Sequence, residues 1–217
     1  MSLKLYYAPG ACSFVPHALL ELAGADFEPI SVKLHKGEQY SADYLTLNPR
    51  GQVPVLVDGQ DVVTQIVAIV LHLDQRFPNA NILPKGGIER TRALSTFAWM
   101  NNTVHPGFTH VFMPQKFTDN ADAQAAVKAF GVAKYREYLQ ELENLVAARK
   151  TDWFTGEQPG VLDAYALTVL RWGGLAGIDP ATYPATWALA QRFAALPAVA
   201  KVVEREKLQL NVYKPAA

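Results

Sequence analysis

The side chain in this sequence that is best suited to chemistry is the thiol of Cys12, the only cysteine in the chain. It follows a predicted tight turn at residues 8–11 and lies at the start of a predicted helix, with Ser13 as the expected N-cap. Unpaired backbone amides and the positive end of the helix dipole at such a position favour a thiolate over a thiol. The sequence therefore predicts an accessible thiol of low pKa. The competing interpretation is a small buried side chain, which is common for free cysteines.

The elements that must position Cys12 form a predicted βαβ unit. Residues 3–7 are typical of a strand, and residues 27–32 of a second one. The helix between them is predicted from apolar residues at i, i+3, i+4 and i+7, namely Val15, Ala18, Leu19 and Leu22. Because crossovers between parallel strands are almost always right-handed, both strands should lie in one sheet with the helix on one face.

A β-hairpin is predicted next, after a short helix over residues 40–47. The apolar run at residues 52–57 leads into Asp58-Gly59, a strong turn signal, and Val62-Val63 continue on the other side. Strands three and four should therefore be antiparallel. The Val53-Pro54 bond, in a loop expected to face Cys12, could be cis, and the sequence leaves its isomer open.

Two domains are predicted, joined by a linker. A third helix over residues 66–76 completes the order βαβαββα, so residues 1–79 form an α/β domain. Residues 80–87, rich in Pro, Gly and Asn, form the linker. Strand signals then vanish, and residues 88–217 should form an all-α domain.

The predicted helices of the second domain carry apolar residues at helical spacing. One face comprises Leu94, Phe97, Ala98, Asn101 and Val104, and another Tyr135, Tyr138, Leu139, Leu142, Leu145 and Val146. Asp163 lies three residues after a possible N-cap, where a carboxylate can accept backbone amides. Two further helices are expected at residues 186–196 and 198–206, separated by Pro197.

Composition and charge exclude several classes of function. Lys plus Arg and Asp plus Glu number 20 each, and no basic stripe interleaved with aromatic residues is present, so nucleic acid is not an expected partner. No apolar run approaches the ~18 residues of a membrane span. With one cysteine and no signal peptide, the expected compartment is the cytoplasm.

The order and spacing of several motifs over the whole chain carry a resemblance. These motifs are residues 5–13, from Leu5 to Ser13, with Pro16-His17 close behind, and residues 44–56, from Tyr44 to Leu56. His105 and Asp163 also match. With these motifs the sequence resembles a cytosolic glutathione S-transferase of the bacterial beta class.

The resemblance implies a fold, a ligand and an assembly. It implies a thioredoxin-like N-terminal domain followed by an all-helical C-terminal domain. Glutathione would bind as a substrate in the cleft between the two, beside a small hydrophobic electrophile, and no metal would be needed. It also implies a homodimer.

The resemblance further implies roles for particular residues. Cys12 would lie closest to the glutathione sulfur and could form a mixed disulfide with it, and Ser13 and Tyr7 would be nearby hydroxyl donors. His105 would lie in the cleft and polarise a thiol or orient a water. On residue type alone, a helix cap for Ser13, a half-buried strand aromatic for Tyr7 and a satisfied core histidine for His105 stay open.

Glutathione itself would be held by two backbone segments. The first, Gln52-Val53-Pro54, would bind the cysteinyl backbone through the amide and carbonyl of Val53. The second is Gln65-Ile66, where the family usually has an acidic residue followed by serine to bind the γ-glutamyl end. Gln65 lacks that charge and Ile66 lacks a side-chain donor, and Pro106 removes another potential donor.

Three functions follow as alternatives. The first is a glutathione transferase acting on small apolar electrophiles, with thiol–disulfide exchange at Cys12. The second is a glutathione-dependent disulfide or peroxide reductase that uses the same cysteine. The third is a non-catalytic binding or regulatory protein of the same fold, which the change at Gln65-Ile66 favours and the presence of Cys12 and His105 disfavours.

Overall fold

The computed structural model of the chain describes residues 3–215. The first part alternates strands and helices in the predicted order βαβαββα: β1 Leu3–Tyr7, α1 Phe14–Leu22, β2 Phe27–Ser31, α2 Ala42–Leu47, β3 Val55–Asp58, β4 Asp61–Thr64 and α3 Ile66–Arg76. The strands form one mixed sheet in the order β2-β1-β3-β4. This is the thioredoxin-like arrangement that the sequence predicted.

The register of the sheet places the end of β1 at its centre. Strands β1 and β2 are parallel, with Leu3 opposite Phe27, whereas β3 runs antiparallel to β1, with Leu5 opposite Leu56. Strands β3 and β4 form the predicted antiparallel hairpin, closed at Asp58 and Asp61. The turn that follows β1 therefore connects a central strand of the sheet to α1.

The two faces of the sheet are covered differently. Leu3, Leu5 and Tyr7 point into a large core that they share with the buried faces of α1 and α3. The opposite face carries a small cluster of Val32, Tyr44 and Val55 beneath α2. The alternation along β1 therefore assigns Tyr7 to the α1 side of the sheet.

The rest of the chain is helical, as predicted. The helices are α4 Gly87–Trp99, α5 His105–Phe112, α6 Ala121–Ala147, α7 Val161–Leu175, α8 Pro184–Ala194 and α9 Pro197–Arg205. Residues 100–104 form a π-helical turn that joins α4 to α5. Within residues 3–215, no helix combines the length and apolar character needed to cross a membrane.

The predicted helix boundaries near the C-terminus are wrong by one or two residues. Helix α8 begins at Pro184 and α9 at Pro197, so each proline is the first residue of a helix. Proline suits this position because its missing amide would have had no partner there and its φ is already helical. Pro197 starts α9 rather than separating two helices.

Helix α7 is the centre of the helical part, and nearly all of it is buried. The predicted capping role of Asp163 is confirmed: its carboxylate accepts hydrogen bonds from the amides of Phe154 (2.8 Å), Thr155 (3.1 Å) and Gly160 (3.0 Å). The N-cap residue Gly160 has no side-chain oxygen, and Thr155 Oγ1 instead accepts the amide of Leu162 at 3.0 Å.

Gly160 is also a point of close contact with the segment between α3 and α4. A Cβ atom on Gly160 would come within 2.6 Å of the carbonyl oxygen of Ile82. The amide of Val161 donates to that same carbonyl at 3.1 Å. The segment between the two parts of the chain is therefore fixed to the start of the buried helix.

Candidate active site

The turn between β1 and α1 is closed by the side chain of Ser13. The amide of Ala8 donates to Ser13 Oγ at 3.0 Å, and that hydroxyl donates back to the carbonyl of Ala8 at 3.2 Å. Ser13 occupies the predicted N-cap position but makes no side-chain cap. It is fully buried, and its hydroxyl already has two partners. These contacts favour a structural role for Ser13, and its catalytic role stays a prediction.

Cys12 faces the loop that contains the cis Val53-Pro54 bond. Its thiol donates to the carbonyl of Val53 at an Sγ···O distance of 3.6 Å, and the side chain is half-buried. Burial raises the pKa of the thiol to about 12, although the backbone amides of Cys12 and Ser13 lower it. The prediction of a low pKa is therefore wrong for this structure, because loss of hydration outweighs the helix-end amides.

The loop that faces Cys12 is held in place by two side-chain hydrogen bonds to its backbone. The carbonyl of Gln52 accepts hydrogen bonds from Tyr44 Oη at 2.8 Å and from Asn48 Nδ2 at 2.7 Å. Pro54 is buried, whereas the side chain of Gln52 is exposed. The backbone of Val53 is consequently fixed in front of the thiol.

The start of α3 carries a strained residue. Gln65 has φ +72°, a left-handed conformation that non-glycine residues rarely adopt, and its side chain is exposed. Such conformations cost of order 1–3 kcal/mol and concentrate at ligand sites. Ile66 is only 5% exposed, so its side chain belongs to the core and offers only its backbone amide.

His105 is the first residue of α5 and has a defined protonation state. Its Nδ1 lies 2.8 Å from Tyr165 Oη, and Tyr165 Oη donates to Asn101 Oδ1 at 3.2 Å. With the tyrosine proton donated to Asn101, Nδ1 donates to Tyr165 Oη and Nε2 keeps a lone pair; with that proton donated to Nδ1, the imidazole proton is on Nε2. Burial lowers the pKa of His105 to about 4, so the imidazole is neutral at pH 7.

The structure brings His105 and the Cys12 turn together through residues of α7. The pKa of Tyr165, the partner of His105, is raised by burial and then by the neighbouring Cys12. Trp172 Nε1 donates to the carbonyl of Gly10 at 2.9 Å, and its ring lies 4.8 Å from the imidazole of His105. Trp172 was not predicted from the sequence, because its one signal was a tryptophan in an apolar helix.

An aromatic wall extends from Trp172 towards solvent. The rings of Trp172 and Phe108 are stacked at 5.1 Å, and those of Phe108 and Phe112 at 5.8 Å. Phe112 is 59% exposed. His110, also on α5, instead stacks on Phe117 at 4.3 Å. Trp172 and Phe108 are only 5% and 6% exposed, so Phe112 is the ring of this wall that offers an apolar surface.

A buried acid from the end of α9 holds the same turn. Glu206 accepts the amide of Gly10 at 2.9 Å and lies 2.7 Å from His17 Nδ1. Arg205 donates to His17 Nε2 at 2.8 Å, so Nδ1 carries the proton and donates to the carboxylate. Glu206 was not found from the sequence, because its only signal is a charge near the end of an amphipathic helix.

Tyr7 is buried beside His17 and Glu206 rather than exposed in a cleft. Its ring is 4.6 Å from that of His17, and burial, followed by the charge of Glu206, raises the pKa of its hydroxyl. The predicted role of Tyr7 as a hydroxyl donor stays a prediction, and these neighbours favour a structural one. Within the described chain, no group of three or more His, Cys, Asp or Glu side chains is arranged to hold a metal ion.

Comparisons with known proteins cover both parts of the chain. The family model described as "Glutathione S-transferase, N-terminal domain" matches residues 1–75, and that described as "Glutathione S-transferase, C-terminal domain" matches residues 100–197. The chain is 31% identical to glutathione S-transferase GstA of Escherichia coli O157:H7, over 95% of this chain and 100% of that protein.

Solved structures show the same arrangement. A bacterial beta class glutathione S-transferase from Sphingomonas chungbukensis superposes with a TM-score of 0.81 at 30% identity, over 95% of this chain and 100% of that one. A maleylacetoacetate isomerase from Methylobacterium extorquens AM1, with bound malonate and glutathione, superposes with a TM-score of 0.77 at 25% identity, over 91% and 94% of the two chains.

Proposed function

This chain belongs to the glutathione S-transferase family, and we propose that it conjugates the thiol of glutathione to small apolar electrophiles, with thiol–disulfide exchange at Cys12 as a linked reaction. The observation that carries the proposal is the contact between the Cys12 thiol and the Val53 carbonyl at the start of α1. It places a sulfur beside a fixed strip of backbone that can bind a peptide-like ligand.

Glutathione binds along this strip in the proposal. The amide and carbonyl of Val53 bind the cysteinyl backbone, between Gln52 and Pro54, as an added strand would be bound. The γ-glutamyl carboxylate rests on the amides at the start of α3, including that of Ile66, and the ammonium on the side-chain oxygen of Gln65. The exposure of Gln65 and its strained backbone support this placement.

The raised pKa of Cys12 assigns it a particular role in conjugation. At neutral pH its sulfur keeps its proton, so Cys12 can donate a hydrogen bond to the glutathione thiolate. His105 is neutral, and in the tautomer with the proton on Nδ1 its Nε2 can accept a hydrogen bond from the glutathione thiol or a water. The thiolate then forms a C–S bond with the electrophile, and the leaving group departs with the electron pair.

The electrophile packs against the exposed end of the aromatic wall in this proposal. Trp172 and Phe108 are buried beside His105, and the ring of Phe112, stacked on Phe108, is open to solvent. Such rings bind planar apolar molecules by burial and stacking. The wall therefore supports small, largely apolar and preferably flat electrophiles.

A homodimer and a cytoplasmic location belong to the same proposal. Large apolar side chains are exposed on both parts of the chain, including Val62 of β4, Leu71 of α3 and Ile88 of α4. Contact with a second copy would cover them. The free thiol of Cys12 is compatible with the reducing cytoplasm.

Glutathione-dependent disulfide reduction at Cys12 is the second candidate, and the position of the thiol beside the backbone of Val53 favours it. In this reaction the Cys12 thiolate attacks glutathione disulfide, which gives a mixed disulfide and releases one glutathione thiolate. The raised pKa of Cys12 opposes it, because the thiolate is the reacting form. A Cys12→Ser variant separates the two candidates: it should abolish disulfide exchange and lower conjugation only in part.

Steady-state conjugation of chlorodinitrobenzene tests the main proposal. We expect a rate that saturates with glutathione in the wild type, and glutathione binding by isothermal titration at millimolar concentrations or below. Absence of both conjugation and binding would contradict the proposal and favour a non-catalytic role.

A further inference from the structure

Tyr165 is a buried residue of α7 whose hydroxyl links the imidazole of His105 to the turn before α5. Its Oη lies 2.8 Å from His105 Nδ1 and 3.2 Å from Asn101 Oδ1. Asn101 belongs to the π-helical turn at residues 100–104, and His105 follows that turn directly. Single π-helical turns inside α-helices are frequent at functional sites, because the wider turn changes where a side chain points.

The side-chain amide of Asn101 has a definite orientation. Its Nδ2 donates to Asn102 Oδ1 at 2.8 Å, so its Oδ1 faces the hydroxyl of Tyr165. An amide oxygen accepts hydrogen bonds and cannot donate them. The contact between Asn101 and Tyr165 is therefore a hydrogen bond only when the tyrosine supplies the proton.

The hydrogen bonds at this hydroxyl favour one tautomer of His105. Tyr165 has a single hydroxyl proton for two neighbours, and its side chain is fully buried. With that proton on the Asn101 bond, Nδ1 donates to Oη and both contacts are hydrogen bonds. With that proton on the His105 bond, the oxygens of Tyr165 and Asn101 face each other without a proton between them. A hydrogen bond left unmade at a buried group is costly, so the proton of the imidazole belongs on Nδ1.

The other imidazole nitrogen, Nε2, is open to a ligand. Across residues 3–215 it has no hydrogen-bond partner in the protein, and the one buried side-chain N or O atom without a partner in that range is Gln39 Oε1. Nε2 of His105 is therefore in contact with solvent. Burial lowers the pKa of His105 to about 4, so a lone pair on Nε2 is available at neutral pH.

His105 and Tyr165 lie beside the turn that carries the reactive cysteine. The pKa of Tyr165 is raised by burial and then by the charge of Cys12, which is close to its hydroxyl. The imidazole of His105 is 4.8 Å from the ring of Trp172, and Trp172 Nε1 donates to the carbonyl of Gly10 at 2.9 Å. The open nitrogen thus belongs to a side chain that packs among the neighbours of the Cys12 sulfur.

We infer that Asn101 and Tyr165 are positioning residues that fix the tautomer of His105, so that Nε2 faces the ligand as a hydrogen-bond acceptor for the thiol of glutathione. Asn101 accepts the hydroxyl proton of Tyr165, and Tyr165 in turn accepts the Nδ1 proton of His105. The inference rests on the proposed function, in which Nε2 orients that thiol. No bond is made or broken in this relay, because each proton stays on its own atom.

Heteronuclear NMR of the imidazole nitrogens tests the tautomer in the protein without glutathione. A nitrogen that carries a proton and one that carries a lone pair differ in chemical shift, and loss of the signal in His105→Gln assigns it. We expect a protonated Nδ1 and an unprotonated Nε2 in the wild type at neutral pH. In Asn101→Leu, Tyr165 has no other acceptor and donates to Nδ1, so the imidazole proton should move to Nε2. A protonated Nε2 in the wild type overturns the inference.

Asn101→Asp is the conservative replacement that a positioning role must tolerate. A carboxylate has the size of the amide and only accepts hydrogen bonds, so it can still take the proton of Tyr165. We expect this variant to keep the imidazole proton on Nδ1, as in the wild type. A proton on Nε2 in Asn101→Asp would contradict the relay.

Tyr165→Phe tests the consequence for conjugation. It removes the partner of Nδ1, and we expect kcat with chlorodinitrobenzene to fall about fivefold, as for loss of one neutral hydrogen bond, with KM for glutathione changed less than about twofold. Tyr183→Phe is the matched control, because Tyr183 is also buried and donates its hydroxyl proton to a backbone carbonyl, that of Arg136, at 3.3 Å. The control should change neither the tautomer nor kcat.

The two measurements distinguish failure of this inference from failure of the proposed function. If the wild type does not conjugate chlorodinitrobenzene, the proposed function is wrong, and the NMR experiment still decides whether Asn101 and Tyr165 set the state of His105. If the wild type conjugates and kcat is the same in Tyr165→Phe, the positioning role is overturned.

Discussion

The thiol of Cys12 shows how a single residue is governed by its surroundings. It lies at a helix N-terminus, where the amides of Cys12 and Ser13 lower the pKa, yet burial raises the pKa to about 12. The burying groups come from distant parts of the chain, including the loop around Val53 and helix α7. The protonated thiol is therefore the form present at neutral pH.

Alkylation of Cys12 by iodoacetamide should follow this raised pKa. In the protein without glutathione, we expect the rate to keep rising well above pH 8.5, the ordinary range of a cysteine, because only the thiolate reacts. The same shift makes folding less favourable as pH rises from 9 towards 12, since the unfolded chain loses the thiol proton first. A midpoint below the ~8.5 of an ordinary cysteine would restore the low-pKa prediction.

The neutral side chain of Gln65 should limit the affinity for glutathione. A hydrogen bond to a charged group is worth about 1.5–3 kcal/mol and a neutral one about 1, so Gln65→Glu should gain of order 1 kcal/mol. We expect several-fold tighter binding of glutathione by isothermal titration. Gln60→Glu, at an exposed turn of the β3–β4 hairpin, is the control for added charge. An unchanged affinity in Gln65→Glu would remove Gln65 from the glutathione site.

For the residues of the β1–α1 turn, the place in the fold was more predictable from the sequence than the contacts of each side chain. The turn, the cysteine and the start of α1 follow from local residue types. The bonds of Ser13 to Ala8 and of Gly10 to Trp172 do not, because they depend on side chains that the local pattern assigns to a cap or to an apolar core. The bond of Ser13 closes the turn itself, and the bond of Gly10 is a tertiary contact with α7.

At the scale of elements, the start of helix α7 depends on a cap supplied from outside the helix. Gly160 cannot provide a side-chain acceptor, and Thr155 Oγ1 binds the amide of Leu162 in its place. This arrangement was not predictable, because Thr155 lies five residues before the N-cap, whereas the capping carboxylate of Asp163 follows from its spacing.

Substitution of Thr155 by valine should remove this cap while keeping the shape of the side chain. Loss of an N-cap hydrogen bond costs ~1–2 kcal/mol, and the buried amide of Leu162 would be left without a partner. We expect urea denaturation to show a lower free energy of unfolding by that amount. The control is Thr91→Val at an exposed position of α4, where the change should stay within about 0.5 kcal/mol. Equal effects of the two variants would contradict the capping role.

At the scale of the whole molecule, the sequence predicted both parts of the fold and their order. Periodicity was sufficient because the sheet and the long helices bury regular stripes, such as Tyr135, Leu139, Leu142 and Val146 of α6. Leu145, placed in the same stripe, is 39% exposed, because it lies at the edge of the buried face. The boundaries at residues 79 and 88 stay a prediction.

The exposed apolar side chains predict association into a homodimer. Val62, Leu71 and Ile88 are each more than a third exposed, and pairing of two chains would cover them. Light scattering at micromolar concentration should give about 48 kDa, twice the 23.9 kDa of one chain. Ile88→Lys, which replaces the most exposed of the three side chains with a charge, should shift the mass towards that of a monomer. A wild type that is already monomeric would count against the prediction.

The hydrogen bonds at Gly10 have a consequence for how activity is controlled. Its amide binds Glu206 and its carbonyl binds Trp172, residues 196 and 162 positions further along the chain. An isolated N-terminal half would contain the cysteine but not a finished site, since the shape of the turn is set by the other half. Packing of the two halves against each other and completion of this turn are thus one event, and the proposed activity should be lost when their contact is weakened.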